Sequence, residues 1–392
     1  MDLKNIIFYI KFILYEVCMA KSEVAILDFG SQKITILVGS KDVNNTINVR
    51  CSYQENYEGF MDGEFIEPKG LERAVLSCLT GVQKICDKPI TSLTVGVPTE
   101  FCFCTCKNVT KTFAKQKKIT QKDVEELYKM VDIKLKTHTI INKDSIYYVL
   151  GENNKVKDPI GQIDSKITAC LSFVFAENSF LSLVSKILLR VGVENFNFVA
   201  SAYAQSLYLF DDEERDKYIL MVDCGYITTT VALFRGRGIL NLTSFSIGGG
   251  HIAGDLSSCL KIPFASAESL LKKVVLCIEP DENDTYDIMI DNNVLPISMR
   301  VANAIVESRI EVIAQGISKC FASWQYSFPD FIPIKLTGGG VSFIKGGKDV
   351  LAKALGKNVE IINLPYAYIG KTNYSSCMAV LNYALNRLDY KK

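Results

Sequence analysis

Two short stretches of this sequence share one grammar. Residues 24–39, VAILDFGSQKITILVG, and residues 218–236, YILMVDCGYITTTVALFRG, each read as an apolar strand, an Asp-x-Gly, a short polar turn and a second apolar strand. β-Branched enrichment and alternation predict strands on both sides of each turn. Asp28 and Asp223 stand 195 positions apart. A repeat at that separation implies a duplication: two related α/β domains that each open a sheet with such a hairpin and face each other across a cleft.

A turn that begins with glycine exposes successive backbone N–H groups, which form a concavity for anions. The aspartate at the end of the strand cannot bind phosphate itself, but it can hold Mg²⁺ through water, and the metal can bridge to phosphate oxygens. The first hairpin offers Asp28, Gly30, Ser31, Gln32 and Lys33 for this chemistry, and the second offers Asp223, Gly225, Thr228 and Thr229. One Asp-x-Gly turn is common without any ligand; a matched pair is more informative. Asp28 and Asp223 are therefore the candidate Mg²⁺ carboxylates, with Asp223 also a candidate for positioning water.

Glycine returns at two further strand ends. Gly338, Gly339 and Gly340 lie in IKLTGGGVSFIKGGKDVLAKALG (334–356), read as strand, glycine turn and helix, where backbone can approach a flat or phosphorylated ligand and the helix N-terminus adds a favourable field. This is not G-x-G-x-x-G, so a dinucleotide fingerprint is not implied. Residues 248–250, with Gly249 and Gly250, sit between a strand and an amphipathic helix. In ASAESLLKK (265–273) Glu268 and Lys272 fall at i and i+4 of a helix, which alone reads as a surface salt bridge worth roughly a few tenths of a kcal/mol.

Composition narrows the partners. The chain of 392 residues carries 44 basic and 43 acidic side chains, a net charge of +1 that gives no reason to propose nucleic acid. Its 13 cysteines are scattered through apolar runs, as small hydrophobes in a reducing cytoplasm rather than a disulfide framework. Cys102, Cys104 and Cys106 share one strand face in FCFCTC, but with no Cys-x-x-Cys and only His138 and His251 as histidines, burial is expected over a metal. At the N-terminus, NIIFYIKFILYEVC (5–18) is broken by Lys11 and Glu16 and too short to span a bilayer. Met19-Ala-Lys-Ser then opens directly onto the first strand, and Glu16-Val17 can be encoded by GAG-GTN, a sequence like a ribosome-binding site. The expectation is that translation starts at Met19.

The order strand–Asp-x-Gly hairpin, second hairpin, strand–triple glycine–helix resembles the actin-like ATPases, and within them the bacterial cell-division FtsA family, over nearly all of residues 19–390. MAKSEVAILDFGSQKITILVG resembles that family's opening, whose loop is usually Asp-x-Gly-Thr-Ser-Lys; Ser31 and Gln32 replace Thr and Ser, and Lys33 is kept. Residues 146–204 resemble the family's inserted subdomain, including the element Asp158-Pro159-Ile160-Gly161. SFSIGGGHIAGDLSSCLKIPFASAESLLKK resembles the segment carrying Gly-Gly, Thr-x-Asp-Ile and Ala-Glu-x-Leu-Lys, which raises Glu268 and Lys272 to adenosine-side contacts. The resemblance implies ATP and Mg²⁺ in the cleft, self-association into filaments, and recruitment of the tubulin-like protein FtsZ or other division proteins.

Two departures qualify this. The family's second loop usually reads Asp-x-Gly-Gly-Gly-Thr-Thr-Asp; here Tyr226, Ile227 and Thr230 replace two glycines and an acid. Positive φ is costly for any residue with a Cβ, so either the turn keeps negative φ and presents fewer N–H groups, or nucleotide binding weakens. Binding with slow hydrolysis is the expectation. Second, family members typically end with a linker and an amphipathic membrane helix, whereas MAVLNYALNRLDYKK reads as a core helix apolar at Met378, Leu381, Ala384 and Leu388. Direct membrane tethering is therefore in doubt, and a cytoplasmic protein reaching the division site through partners is expected.

The expected architecture is a two-lobed α/β actin-like fold of duplicated ribonuclease-H-like domains. Residues 20–98, 176–210 and 365–392 form the first domain, 99–175 an inserted α+β subdomain, and 211–364 the second domain, entered through the charged run DDEERDK (211–217), read as a solvated connector. A helix is expected over 120–131 with Thr120 as N-cap, and another over 300–321. Alternatives are an actin-like type IV pilus assembly protein, separated only by motif detail at 19–39 and 248–273, and a small-molecule kinase, for which no insertion supplies an acceptor site.

Overall fold

The computed structural model describes residues 23–389 except 43, 87–88, 292, 363 and 365–371. The N-terminal apolar stretch and Met19 lie outside the described residues. The chain opens with hairpin β1 (Val24–Phe29) and β2 (Lys33–Lys41), extended by β3 (Ile47–Asn56). Helix α1 (Pro68–Cys86) crosses back so that β4 (Ser92–Val97) pairs parallel with β1. Next come β5 (Cys102–Lys118), α2 (Gln121–Lys129), β6 (His138–Leu150), β7 (Asn154–Val156) and β8 (Ile163–Glu177), a separate four-stranded sheet in the order β5-β8-β6-β7. After α3 (Asn178–Arg190), β9 (Asn195–Ala200) joins β4 in parallel, giving β9-β4-β1-β2-β3, and α4 (Ser201–Leu209) leads out.

The second half repeats the plan. Strands β10 (Ile219–Cys224), β11 (Thr229–Arg235) and β12 (Gly238–Phe245) form an antiparallel meander. Helices α5 (Gly249–Leu260) and α6 (Phe264–Leu271), the hairpin β13 (Thr285–Ile290)–β14 (Asn293–Ser298) and α7 (Met299–Ser323) follow. Then β15 (Ile334–Thr337), α8 (Gly347–Leu355) and β16 (Val359–Ile361) complete a sheet ordered β12-β11-β10-β15-β16. Both sheets thus run third-second-first-fourth-fifth, with three antiparallel strands followed by two parallel ones. The last helix, α9 (Ser375–Asp389), returns to the first sheet.

Local chemistry explains the elements. Thr120 caps α2, its hydroxyl accepting from Asp123 N while the Asp123 carboxylate accepts from Thr120 N, a reciprocal capping box. Helix α7 buries Ala302, Val306, Ile310, Ile313 and Ile317, a stripe at helical spacing. On α9, Met378, Leu381 and Ala384 are buried against Ile26 and Leu37 of the first sheet. Cys102, Cys104 and Cys106 lie along β5 with pKa values pushed up by burial, and no group of potential metal ligands occurs among the described residues. No described helix is long and apolar enough to cross a membrane.

The charged run 211–217 is exposed, as a solvated connector should be, except at Arg215. Asp211 caps one helical turn, Asp212–Arg215, and Arg215 is buried rather than solvated. Its guanidinium donates to the carbonyls of Ser206, Leu207 and Phe210 and pairs with Asp212. Arginine can fill this place because its fork of donors satisfies several orphan carbonyls at the end of α4 at once.

The inserted sheet docks on the second lobe's meander. Ser172 Oγ on β8 donates to Ile239 O at 2.7 Å and accepts from Ile239 N at 3.0 Å, and Arg237 N donates to Ser145 O. Ser172→Ala takes the acceptor from the Ile239 N–H on β12 and leaves the Ile239 carbonyl with only the weak Cys106 Sγ donor. The expected loss is about 1–3 kcal/mol in urea unfolding; an unchanged midpoint would show that the two sheets do not depend on this bridge.

Candidate functional site: a cleft between two hairpins

The two turns correspond residue for residue. Gly30 N donates to Lys33 O at 2.9 Å, and Gly225 N donates to Thr228 O at 2.8 Å. In the strands behind them Asp28 pairs with Thr35, and Asp223 with Thr230. Tyr226 and Ile227 therefore stand where Ser31 and Gln32 stand in the first turn. Neither has positive φ; the described non-glycine residues that do are Asn45, Asp62, Lys261 and Asp291. Of the two outcomes open to this turn, it takes the one with negative φ, a conformation that most side chains accept.

Asp28 is 6% exposed. It faces Gly96 on β4, where a Cβ would stand 2.7 Å from Asp28 Oδ1, so the glycine makes room for the carboxylate. Asp28 Oδ1 accepts from Ser376 Oγ at 2.8 Å and Ser201 Oγ at 3.3 Å. Burial lifts its pKa to about 6, the two hydroxyls draw it down, and Asp223 adds a smaller upward push. Asp223 is raised by burial too and lowered by Gln205, whose Nε2 donates to Asp223 Oδ2 at 2.6 Å and to Ser375 Oγ at 3.1 Å. No described ion pair includes Asp28 or Asp223. Two enclosed carboxylates that feel each other and have neutral partners among the described residues are the donor set a hard divalent cation takes. The residues fit Mg²⁺.

The remaining candidates separate into those at the cleft and those beside it. Ser31 is buried where the lobes touch, its Oγ accepting from Ile227 N at 2.9 Å. Gln32 O accepts from Tyr57 N, and Tyr57 donates its hydroxyl to Gly30 O at 2.8 Å. Lys33 is exposed at the start of β2. Thr228 closes the second turn through its carbonyl. Thr229 is fully buried, its Oγ1 donating to Ile247 O at 2.6 Å, so this side chain ties β11 to the segment before α5.

The glycine turns are bonded to the second hairpin. Gly249 N donates to Gly225 O at 2.9 Å, Gly250 N to Tyr226 O at 2.7 Å, and Gly340 N to Cys224 O at 2.7 Å. Gly338 has φ +90°, and a Cβ there would stand 2.4 Å from Asp223 Oδ1. Gly339 is exposed beside Asn373. The reading of 334–356 needs one correction. A 3₁₀ turn, Val341–Phe343, follows the glycines, and α8 begins only at Gly347, so that helix N-terminus is not at residues 338–340. The α5 N-terminus, by contrast, is at Gly249.

Glu268 and Lys272 form no ion pair among those described. Glu268 Oε1 instead accepts from the Tyr226 hydroxyl at 3.0 Å, and Lys272 closes α6. The i,i+4 salt bridge is thus replaced by a bond to the second turn. Sequence reasoning missed Ser201 and Gln205 on α4, Ser375 and Ser376 on α9, and Tyr57. The signal for the serines was small polar residues in the first turn of a helix, as in ASAYAQ and YSSC, which by itself reads as ordinary helix chemistry, and Gln205 and Tyr57 carried no local signal.

Paired sheets of this topology with carboxylate hairpins at their meeting point define the actin-like ATPase fold. The solved PilM-PilN type IV pilus biogenesis complex has a chain of this fold, with TM-score 0.61 at 13% identity over 93% of this chain and 99% of that one. MreB5 of Spiroplasma citri bound to AMPPNP gives TM-score 0.55 at 11% identity, over 94% and 97%. The sequence model of Cell division protein FtsA matches residues 220–379. Cell division protein FtsA of Neisseria meningitidis is 22% identical over 305 residues, 74% of this chain and 71% of that protein. These matches, at low identity, support an FtsA-like protein of the actin-like fold.

Proposed function

We propose that this protein is an actin-like scaffold of bacterial cell division that binds Mg-ATP between its two hairpins, hydrolyses it slowly, self-associates into filaments and recruits FtsZ or other division proteins. The observation that carries the nucleotide part is the pair Asp28 and Asp223, enclosed at the base of matching turns and bonded to hydroxyls and an amide. Similarity to Cell division protein FtsA carries the division part. Asp28 and Asp223 would hold Mg²⁺, which would supply charge neutralisation for the phosphates. Slow turnover is read from the second turn, where Tyr226, Ile227 and Thr230 stand in place of two glycines and an acid, because hydrolysis needs a water aligned with the phosphoryl group. The cytoplasm, and the division site through partners, is the location this reading gives.

Titration calorimetry with Mg-ATP tests it. The wild type is expected to bind with phosphate release near background, and Asp28→Ala to bind about ten-fold more weakly or worse, with little binding by either when Mg²⁺ is chelated. A wild-type protein that binds no nucleotide would leave the cleft without this role.

A further inference from the structure

Tyr226 does something in this cleft that its counterpart in the first hairpin, Ser31, cannot. From the second turn its ring reaches α5, where a Cβ on Gly250 would stand 2.7 Å from Tyr226 Cε1. Its hydroxyl goes on to Glu268 on α6. Gly250 and Glu268 are two of the groups assigned to nucleotide, and one side chain covers both. Its backbone does the same, because Tyr226 O and Gly225 O take the N–H groups of Gly250 and Gly249 in the first turn of α5. Ile227 completes the closure, its N–H bonded to Ser31 Oγ and its Cδ1 at the lip formed by Gly59.

We infer that Tyr226 is a tethered occupant of the nucleoside side of the cleft, and that a nucleotide binds only by displacing it. The inference rests on the cleft being a nucleotide site, as proposed above. A purely structural aromatic does not account for these contacts. The turn closes through Gly225 N and Thr228 O, which needs no aromatic residue, and the ring leans on a glycine that offers no side chain to lock it. What holds it is one hydrogen bond to a carboxylate, together with the seam of backbone bonds from the same turn. All can break together if residues 225–228 lift. Lifting frees the α5 N–H groups, Glu268 and Ser31 in one movement, so the site is either closed on itself or open to ligand. The apparent affinity is the intrinsic affinity reduced by the fraction of open protein.

The test compares Mg-ATP binding by calorimetry for the wild type, Tyr226→Phe and Tyr226→Ser, the last copying the first hairpin. Tyr226→Ser is expected to bind about ten-fold tighter or more, with Tyr226→Phe between it and the wild type because it keeps the ring and loses only the bond to Glu268. Amide exchange at Ile227 is expected to quicken when the wild type is saturated with Mg-ATP, as its bond to Ser31 breaks. Equal affinity in all three proteins overturns the plug and leaves the nucleotide reading standing. Weaker binding by Tyr226→Ser with an unchanged melting curve also overturns it, making the ring a platform for the ligand. Failure of every variant to bind overturns both readings.

Discussion

Gly338→Ala is expected to lower the unfolding free energy by about 3 kcal/mol or more. At φ +90° an alanine is strained by its backbone alone, and its Cβ would stand 2.3 Å from Cys224 O as well as 2.4 Å from Asp223 Oδ1. Neither neighbour can give way easily. The Cys224 carbonyl is held by Gly340 N, and the Asp223 carboxylate by Gln205. Thr372 Oγ1, which donates to Gly338 O at 2.6 Å, would move with it. Gly254→Ala is the control. It lies within α5 with nothing near its missing Cβ, so alanine should stabilise by about 0.5–1 kcal/mol. Urea unfolding of both variants gives the comparison. Equal stability of Gly338→Ala and the wild type would mean the turn at 338–340 can relax, and the close approach to Asp223 would lose its structural meaning.

Asp28→Asn is expected to act in the opposite direction. The folded protein raises the Asp28 pKa from its usual 3.8 to about 6, chiefly by burial. An acid whose pKa rises on folding is a liability when ionised, so its unfavourable contribution is fully present above the folded value and disappears as pH falls below the unfolded one. A shift of about two units corresponds to about 3 kcal/mol. The asparagine variant should therefore be more stable than the wild type at neutral pH by up to that amount, and the gap should close between about pH 6 and pH 4. The amide oxygen of an asparagine in this place can still accept from Ser201 and Ser376, so the neutral side chain keeps its position. Added Mg²⁺ should stabilise the wild type and not the variant. Loss of stability in Asp28→Asn at pH 7 would show that the carboxylate is better accommodated than its burial implies.

These effects also mark what a sequence can and cannot disclose. Asp28 and Asp223 were legible because each ends a strand just before a turn, and a turn's chemistry is local. The Thr120 cap and the apolar stripes of α7 and α9 were legible for the same reason. Gln205 and Ser376 were not, because each reaches its aspartate across a distance in sequence that no spacing encodes: 18 positions in one case and 348 in the other. Arg215 hid in a run of charges whose average behaviour is solvation. The glycine turns misled in a subtler way. Composition announces that N–H groups are accessible to something, and only the packing reveals that Gly225 O, Tyr226 O and Cys224 O are what they meet.

Helix α9 has a consequence for how the molecule is made. Its residues Met378, Leu381 and Ala384 fill the core beneath Ile26 and Leu37, and Ser376 holds Asp28. A ribosome delivers the first sheet long before this helix emerges, so β1 and β2 wait with an open apolar face until residues 375–389 are out. Domains usually fold as units while the N-terminal part leads; here the leading lobe cannot finish first. Closure of that lobe brings together the ends of the described chain, a high-contact-order step of the kind that is slow in folding. The carboxylate at the first turn acquires its final surroundings only after residue 376 has been made, which keeps a shorter nascent chain from presenting a finished cleft.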